Sequence, residues 1–199
     1  MRSQYLPIPL YENFDKIYNE FQNIYSDPKK RSRLFGKFIF IDYKEFIERK
    51  SKFFWHLSSI DKTEKYTVNP CTNEVPIGVC EYTNHCEEET SNDLIEILDR
   101  IPCIYRGSRI TWIDEVIKLA TKKSKLVKVW KVYNSKKSKT KLKLRFQEGT
   151  ADYIIIFEED NKKSSYRLIT AFPVVLKGSK RKFDKQYERY QKIKKPAGS

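Results

Sequence analysis

Histidine is almost missing from this 199-residue chain, which holds only two, beside four cysteines, one methionine and six glycines. Two histidines, at positions 56 and 85, are spaced too far apart for the HExxH helix of a metalloprotease. With so little glycine there is no phosphate-gripping loop, no dinucleotide fingerprint and no GxSxG nucleophile elbow. The common nucleotide-hydrolysing, oxidoreductase and esterase chemistries are thereby removed. No apolar run approaches the length needed to cross a bilayer, and the first residues, MRSQYLPIPLYENFDK, lack the apolar core of a signal peptide. A soluble, cytoplasmic protein is expected, in which structural disulfides are disfavoured.

Negative charge is missing from one long stretch. Between Lys118 and Arg145 there is no Asp or Glu, while lysines recur throughout, and a second basic block runs from Lys177 to Lys195. The net charge is +14. Charge segregated in this way attracts phosphate backbones and speeds their encounter, which makes RNA the expected partner. The plainer reading is that lysine decorates solvated faces, because a charge run alone is a weak motif.

What is present is a globular composition: 39% hydrophobic, with 13 Tyr and 12 Phe. Phe14, Ile17, Tyr18, Phe21, Ile24 and Tyr25 recur at helical spacing, and Asp27-Pro28 ends that helix. Phe38–Ile41 reads as a short strand, and residues 43–60 as partly helical. Residues 61–90 show no period and are expected to form a loop. Short helices are expected over 91–99 and 111–122. The period then changes to two, with strands expected over 126–133, 140–147, 153–158 and 166–176. In the second of these, Leu142, Leu144 and Phe146 alternate with Lys141, Lys143 and Arg145, which predicts one core face and one wet, positive face. A last helix over 180–193 places Phe183, Tyr187 and Tyr190 on one side. The expected fold is therefore α+β: N-terminal helices packed on a four-stranded antiparallel meander and closed by a C-terminal helix. Residues 1–50 would be a helical extension, and 51–195 the main domain.

Few residues could carry chemistry. Cys71, Cys80, His85 and Cys86 could make a zinc site, but they lack tight CxxC pairs, and thiols without a role are the preferred reading. Cys103, within Ile101-Pro102-Cys103-Ile104, reads as packing. His56 follows three aromatics and could sit at the lip of an apolar cleft, where imidazole gives or takes a proton near neutral pH. Alone, such a histidine is more often structural. Arg100, Arg106 and Arg109 lie within ten residues of one another, and guanidinium forks clamp phosphates. Surface salt bridges are the alternative for each. Thr170, in an apolar strand, is either a backbone-tied β-former or a phosphate hydrogen-bond donor.

Three segments, in order, carry a resemblance: Phe53-Phe54-Trp55-His56-Leu57, Arg106-Gly107-Ser108-Arg109-Ile110-Thr111-Trp112-Ile113, and Leu168-Ile169-Thr170-Ala171-Phe172. Together they resemble the phage- and mobile-element-associated nucleases of the barnase–EndoU–colicin–RelE superfamily, over roughly residues 53–190. The resemblance implies a metal-independent endoribonuclease without cofactor, of toxin or phage-defence type, in which the ribose 2′-OH attacks the adjacent phosphate. His56 would be the general acid or base, Arg106 and Arg109 would hold the phosphate, and Thr170 would bond a non-bridging oxygen. Arg100, Lys141, Lys143, Arg145 and Tyr166 would bind substrate across an open sheet face. An acidic antitoxin or immunity protein is the partner the resemblance implies. Non-catalytic RNA binding is the alternative.

Overall fold

A computed structural model describes residues 4–9, 13–61, 99–135 and 138–194. The expected loop over 61–90, the helix over 91–99 and the possible zinc ligands Cys71, Cys80, His85 and Cys86 therefore lie, apart from Asp61 and Asp99, outside the described residues.

Helix α1 spans Phe14–Tyr25. Its Asn13 cap accepts a hydrogen bond from the Lys16 amide (3.0 Å), satisfying a donor that the first helical turn leaves open. Ile17, Tyr18, Phe21 and Tyr25 form its buried face. Strand β1 (Phe38–Phe40) and the hairpin of β2 (Phe46–Ile47) and β3 (Lys50–Ser51) follow. Ser51 then caps α2 (Lys52–Ser58) by accepting from the Phe54 amide (3.0 Å). Strands β4 (Ser59–Asp61) and β5 (Arg100–Pro102) pair antiparallel and lead into a single helical turn, α3 (Ile104–Gly107), and then α4 (Trp112–Thr121).

The chain finishes with β6 (Val127–Asn134), β7 (Lys139–Glu148), β8 (Ala151–Asp160), β9 (Ser165–Pro173) and the long helix α5 (Lys177–Lys194). Consecutive strands β6 to β9 pair antiparallel. Only two residues separate β7 from β8, and Gly149 takes the left-handed φ of +55° that so tight a turn requires.

The α+β class is as expected, but the sheet is not a four-stranded antiparallel one. It has five strands in the order β1-β9-β8-β7-β6, and β1 runs parallel to β9. The pairing of Phe38 with Ser165 joins residues more than a hundred positions apart, so no local sequence pattern reports it. Residues of the expected N-terminal extension are integral to this unit: Ile17, Phe21 and Ile39 share one core with Phe54, Trp112, Leu144 and Phe157.

A second cluster lies on the opposite sheet face, where Trp130, Ile154 and Val174 meet Phe183 of α5, with Ile156, Phe172, Tyr187 and Tyr190 packed around them. The sheet is thus covered on both sides. Between α1 and α3 the approach is so close that a Cβ on Gly107 would fall 2.9 Å from Cδ1 of Ile17. Among the described residues no helix is long and apolar enough to cross a membrane.

Candidate functional site

The site is built around residues 168–173 of β9, which β1 leaves unpaired. Strand β1 reaches only Ser165–Arg167. Beyond it, the ladder between β8 and β9 slips: Phe157 pairs with Leu168, but Ile156 pairs with Thr170. Ile169 is the extra residue of this bulge, and a bulge frees backbone groups from the ladder. The His56 ring lies beside this stretch, close enough for the Ile169 backbone to pull the imidazole pKa upward.

His56 is held from several sides. Helix α2 buries Phe54, Trp55 and Leu57 in the main core, which leaves position 56 partly exposed at the sheet edge. Phe53 stacks on the imidazole with ring centroids 6.0 Å apart. Two guanidinium groups approach from β5 and α3. Arg100 donates from Nε to Ser59 Oγ (2.7 Å) and from Nη2 to the Ser59 carbonyl (2.8 Å), with a longer bond to the His56 carbonyl (3.4 Å). Arg106 donates from Nη1 to the same Ser59 carbonyl (2.6 Å), and its guanidinium lies 5.4 Å from the Phe172 ring centroid. One oxygen therefore gathers two cations beside an imidazole. Burial first, then the positive charges of Arg100 and Arg106, push the His56 pKa down to about 4, against the opposing pull of the Ile169 hydrogen bond. At neutral pH His56 is an uncharged base with cations on one side.

The structure thus brings His56, Arg100 and Arg106 to the stretch of β9 that carries Thr170, whose side chain is half-buried. Arg109 does not join them. It is 0% exposed, donates to the Tyr105 carbonyl (2.7 Å), and lies on the faces of Tyr105 (3.7 Å) and Trp112 (5.2 Å). Arg109 lies in the turn between α3 and α4, where Tyr105 from the first and Trp112 from the second close over its guanidinium.

Arg145 and Lys143 lie on the non-core sheet face, as the alternation requires, but that face is not open there. Helix α5 covers it. Arg145, 1% exposed, bonds both carboxylate oxygens of Asp152 (2.8 and 2.7 Å) and Asp184 of α5 (2.8 Å). Lys143, 7% exposed, donates to Gln186 Oε1 (2.8 Å) and lies 5.0 Å from the Phe183 ring centroid. Tyr166 is buried in the main core with Lys37 over its ring at 5.1 Å, so it presents no surface to a substrate. Lys141 remains half-exposed on the sheet. Cys103 is buried with Tyr105 against Ile60 and Val175.

Among the described residues, no group of three or more His, Cys, Asp and Glu side chains could hold a metal ion. Comparison with known proteins finds no matching family model, no matching curated protein and no matching solved structure.

Proposed function

We propose that this protein is a metal-independent endoribonuclease whose reaction centre is the free edge of β9. The observation that carries the reading is the uncharged His56 imidazole set beside the guanidinium groups of Arg100 and Arg106. In the reaction, His56 accepts the proton of a ribose 2′-OH as its oxygen bonds to the adjacent phosphorus. The P–O5′ bond breaks, the 5′ oxygen takes up a proton from the imidazolium, and a 2′,3′-cyclic phosphate is left. Arg100 and Arg106 stabilise the charge that accumulates on the phosphoryl oxygens, and Thr170 donates a hydrogen bond to one of them. Arg109 has no direct part, because it is enclosed by Tyr105 and Trp112.

Non-catalytic RNA binding is the second reading. Arg106 is only 5% exposed, and both guanidinium groups are engaged by the Ser59 carbonyl, which suits a purely architectural pair. The readings separate when purified protein meets total RNA in EDTA. The nuclease reading expects products ending in a cyclic phosphate, with His56→Ala reducing turnover by about a hundred- to ten-thousand-fold and leaving RNA affinity nearly intact. Undiminished cleavage by His56→Ala, or salt-sensitive binding without product, would refute it. Such a nuclease, active in the compartment that makes it, needs an acidic inhibitor, and co-purification of an acidic protein with the native chain tests that partner.

A further inference from the structure

The RNA reading leaves a basic flank of α5 without a use. Helical spacing puts Lys182, Gln186 and Arg189 along one side of α5, where they line a shallow groove with Arg181 and Lys185. Gln186 accepts from Lys143, so this flank abuts β7. The opposite flank carries Asp184, already committed to Arg145 (2.8 Å) and near Lys128 (3.9 Å). Neither Asp184 nor Glu188 lines the groove.

On the sheet beside the basic flank, paired residues share a face. Lys141 pairs with Glu158, Glu158 with Arg167, and Arg167 with Phe40. This row crosses from β7 to β1, three strand spacings or roughly 14 Å. It ends on Phe40, 47% exposed, with Phe38, 53% exposed, two positions away on the same face. The acids along it are spoken for, since Glu158 pairs with Lys139 (2.6 Å) and Asp42 with Arg167 (3.5 Å). Lys141, Lys182 and Arg189 have no carboxylate within ion-pair distance among the described residues.

Resting on the reading of RNA as the substrate, we propose that the basic flank of α5 and the Lys141–Phe40 row of the sheet form a track for single-stranded RNA, with phosphates on Lys141, Lys182 and Arg189 and a base stacked on Phe40. Cations crowded without a counter-ion favour a polyanion, and exposed rings at one end favour unpaired bases over a duplex. The crowding has an independent sign: after burial, the charges of Lys182 and Lys141 are what hold the Lys143 ammonium down, at a pKa of about 8. A phosphate placed among them relieves that repulsion.

The test uses the full chain and a fluorescent 12-nucleotide 2′-O-methyl RNA, which lacks the attacking hydroxyl, with its duplex as control. Anisotropy titrations over a range of salt give the slope of log affinity against log salt. Each phosphate contact to a single strand contributes about 0.7 to that slope. Lys141→Gln/Lys182→Gln/Arg189→Gln is expected to flatten it by about 2, and Lys182→Gln/Arg189→Gln alone, confined to the exposed helix, by about 1.4. Lys122→Gln/Lys123→Gln/Lys125→Gln removes equal charge beyond α4 and is expected to leave the slope unchanged. Phe40→Ala is expected to weaken the single strand by about five-fold or more, the low end for a lost stacking partner, and to spare the duplex. Equal slopes in the two triple variants, or a slope unmoved by the α5 double variant, would overturn the track. Absence of RNA cleavage by the wild type would overturn the nuclease reading without touching these binding slopes.

Discussion

Acid should unfold this protein partly through one imidazole. His56 has a folded-state pKa of about 4, held there chiefly by burial and then by Arg100 and Arg106. In the unfolded chain it titrates near 6.5. Because the folded value is the lower one, the unfolded chain takes up the proton first as pH falls. Stability is full above about pH 6.5, declines between there and pH 4, and loses no more from this group below that. The gap amounts to about 3 kcal/mol, at 1.36 kcal/mol for each pH unit separating the two values. That is a large fraction of the stability of a domain this size. His56→Gln should remove this part of the acid slope, so urea unfolding at pH 7 and pH 4.5 should differ less in the variant than in the wild type. Arg100→Gln should raise the His56 value only partway, because burial is the larger cause and Arg106 remains. With two histidines in the chain, a proton NMR titration of the ring resonances, assigned by His56→Gln, reads the value directly. A His56 ring titrating at or above 6.5 in the folded protein would refute the reasoning.

Two further outcomes test the packing that shapes the site. Asp152→Ala strips the bidentate partner from Arg145, whose side chain is 1% exposed, and should cost about 3–5 kcal/mol in urea unfolding, as breaking a buried pair does. Arg145→Met/Asp152→Leu should recover much of that loss, and equal destabilisation of single and double variants would contradict a desolvation origin. Gly107→Ala drives a methyl to 2.9 Å from Ile17 Cδ1 and should cost about 1–3 kcal/mol as overpacking, with Ile17→Ala in the same chain relieving part of the strain. Additive costs in that pair would mean the two residues do not press on each other.

Much of this fold was legible because its signals are local. The helix over residues 14–25 and the four consecutive strands of the meander follow from spacing, and the alternation of Leu142, Leu144 and Phe146 with Lys141, Lys143 and Arg145 did sort the two faces of β7. The inference from lysine to solvent is what failed. The run Tyr153-Ile154-Ile155-Ile156-Phe157 in the next strand does not alternate, and an unbroken apolar run marks a strand covered on both sides. Phe183, Tyr187 and Tyr190 on the last helix are the matching half of that signal, and Asp184 supplies the second carboxylate that lets Arg145 be buried. Charge on a strand reports water only when no other element carries the complementary charge.

The placement of the proposed reaction centre follows from the same closure of the sheet. With α1, α2 and α4 on one face and α5 on the other, the faces over Ile154 and Ile155 are spent on packing. The remaining unsatisfied backbone is at the edges, and β1 seals the β9 edge only as far as Arg167. An exposed edge invites pairing with another chain, and here it is instead broken by the bulge at Ile169 and occupied by His56. Arg109, three residues from Arg106, marks how narrow this edge is. One turn along the same segment points into the core and is lost among aromatics, while the other reaches the Ser59 carbonyl beside the imidazole. A guanidinium count along the sequence could not separate them, because Arg106 lies within α3 and reaches back to the Ser59 carbonyl, while Arg109 lies in the turn that follows and is closed over by aromatics.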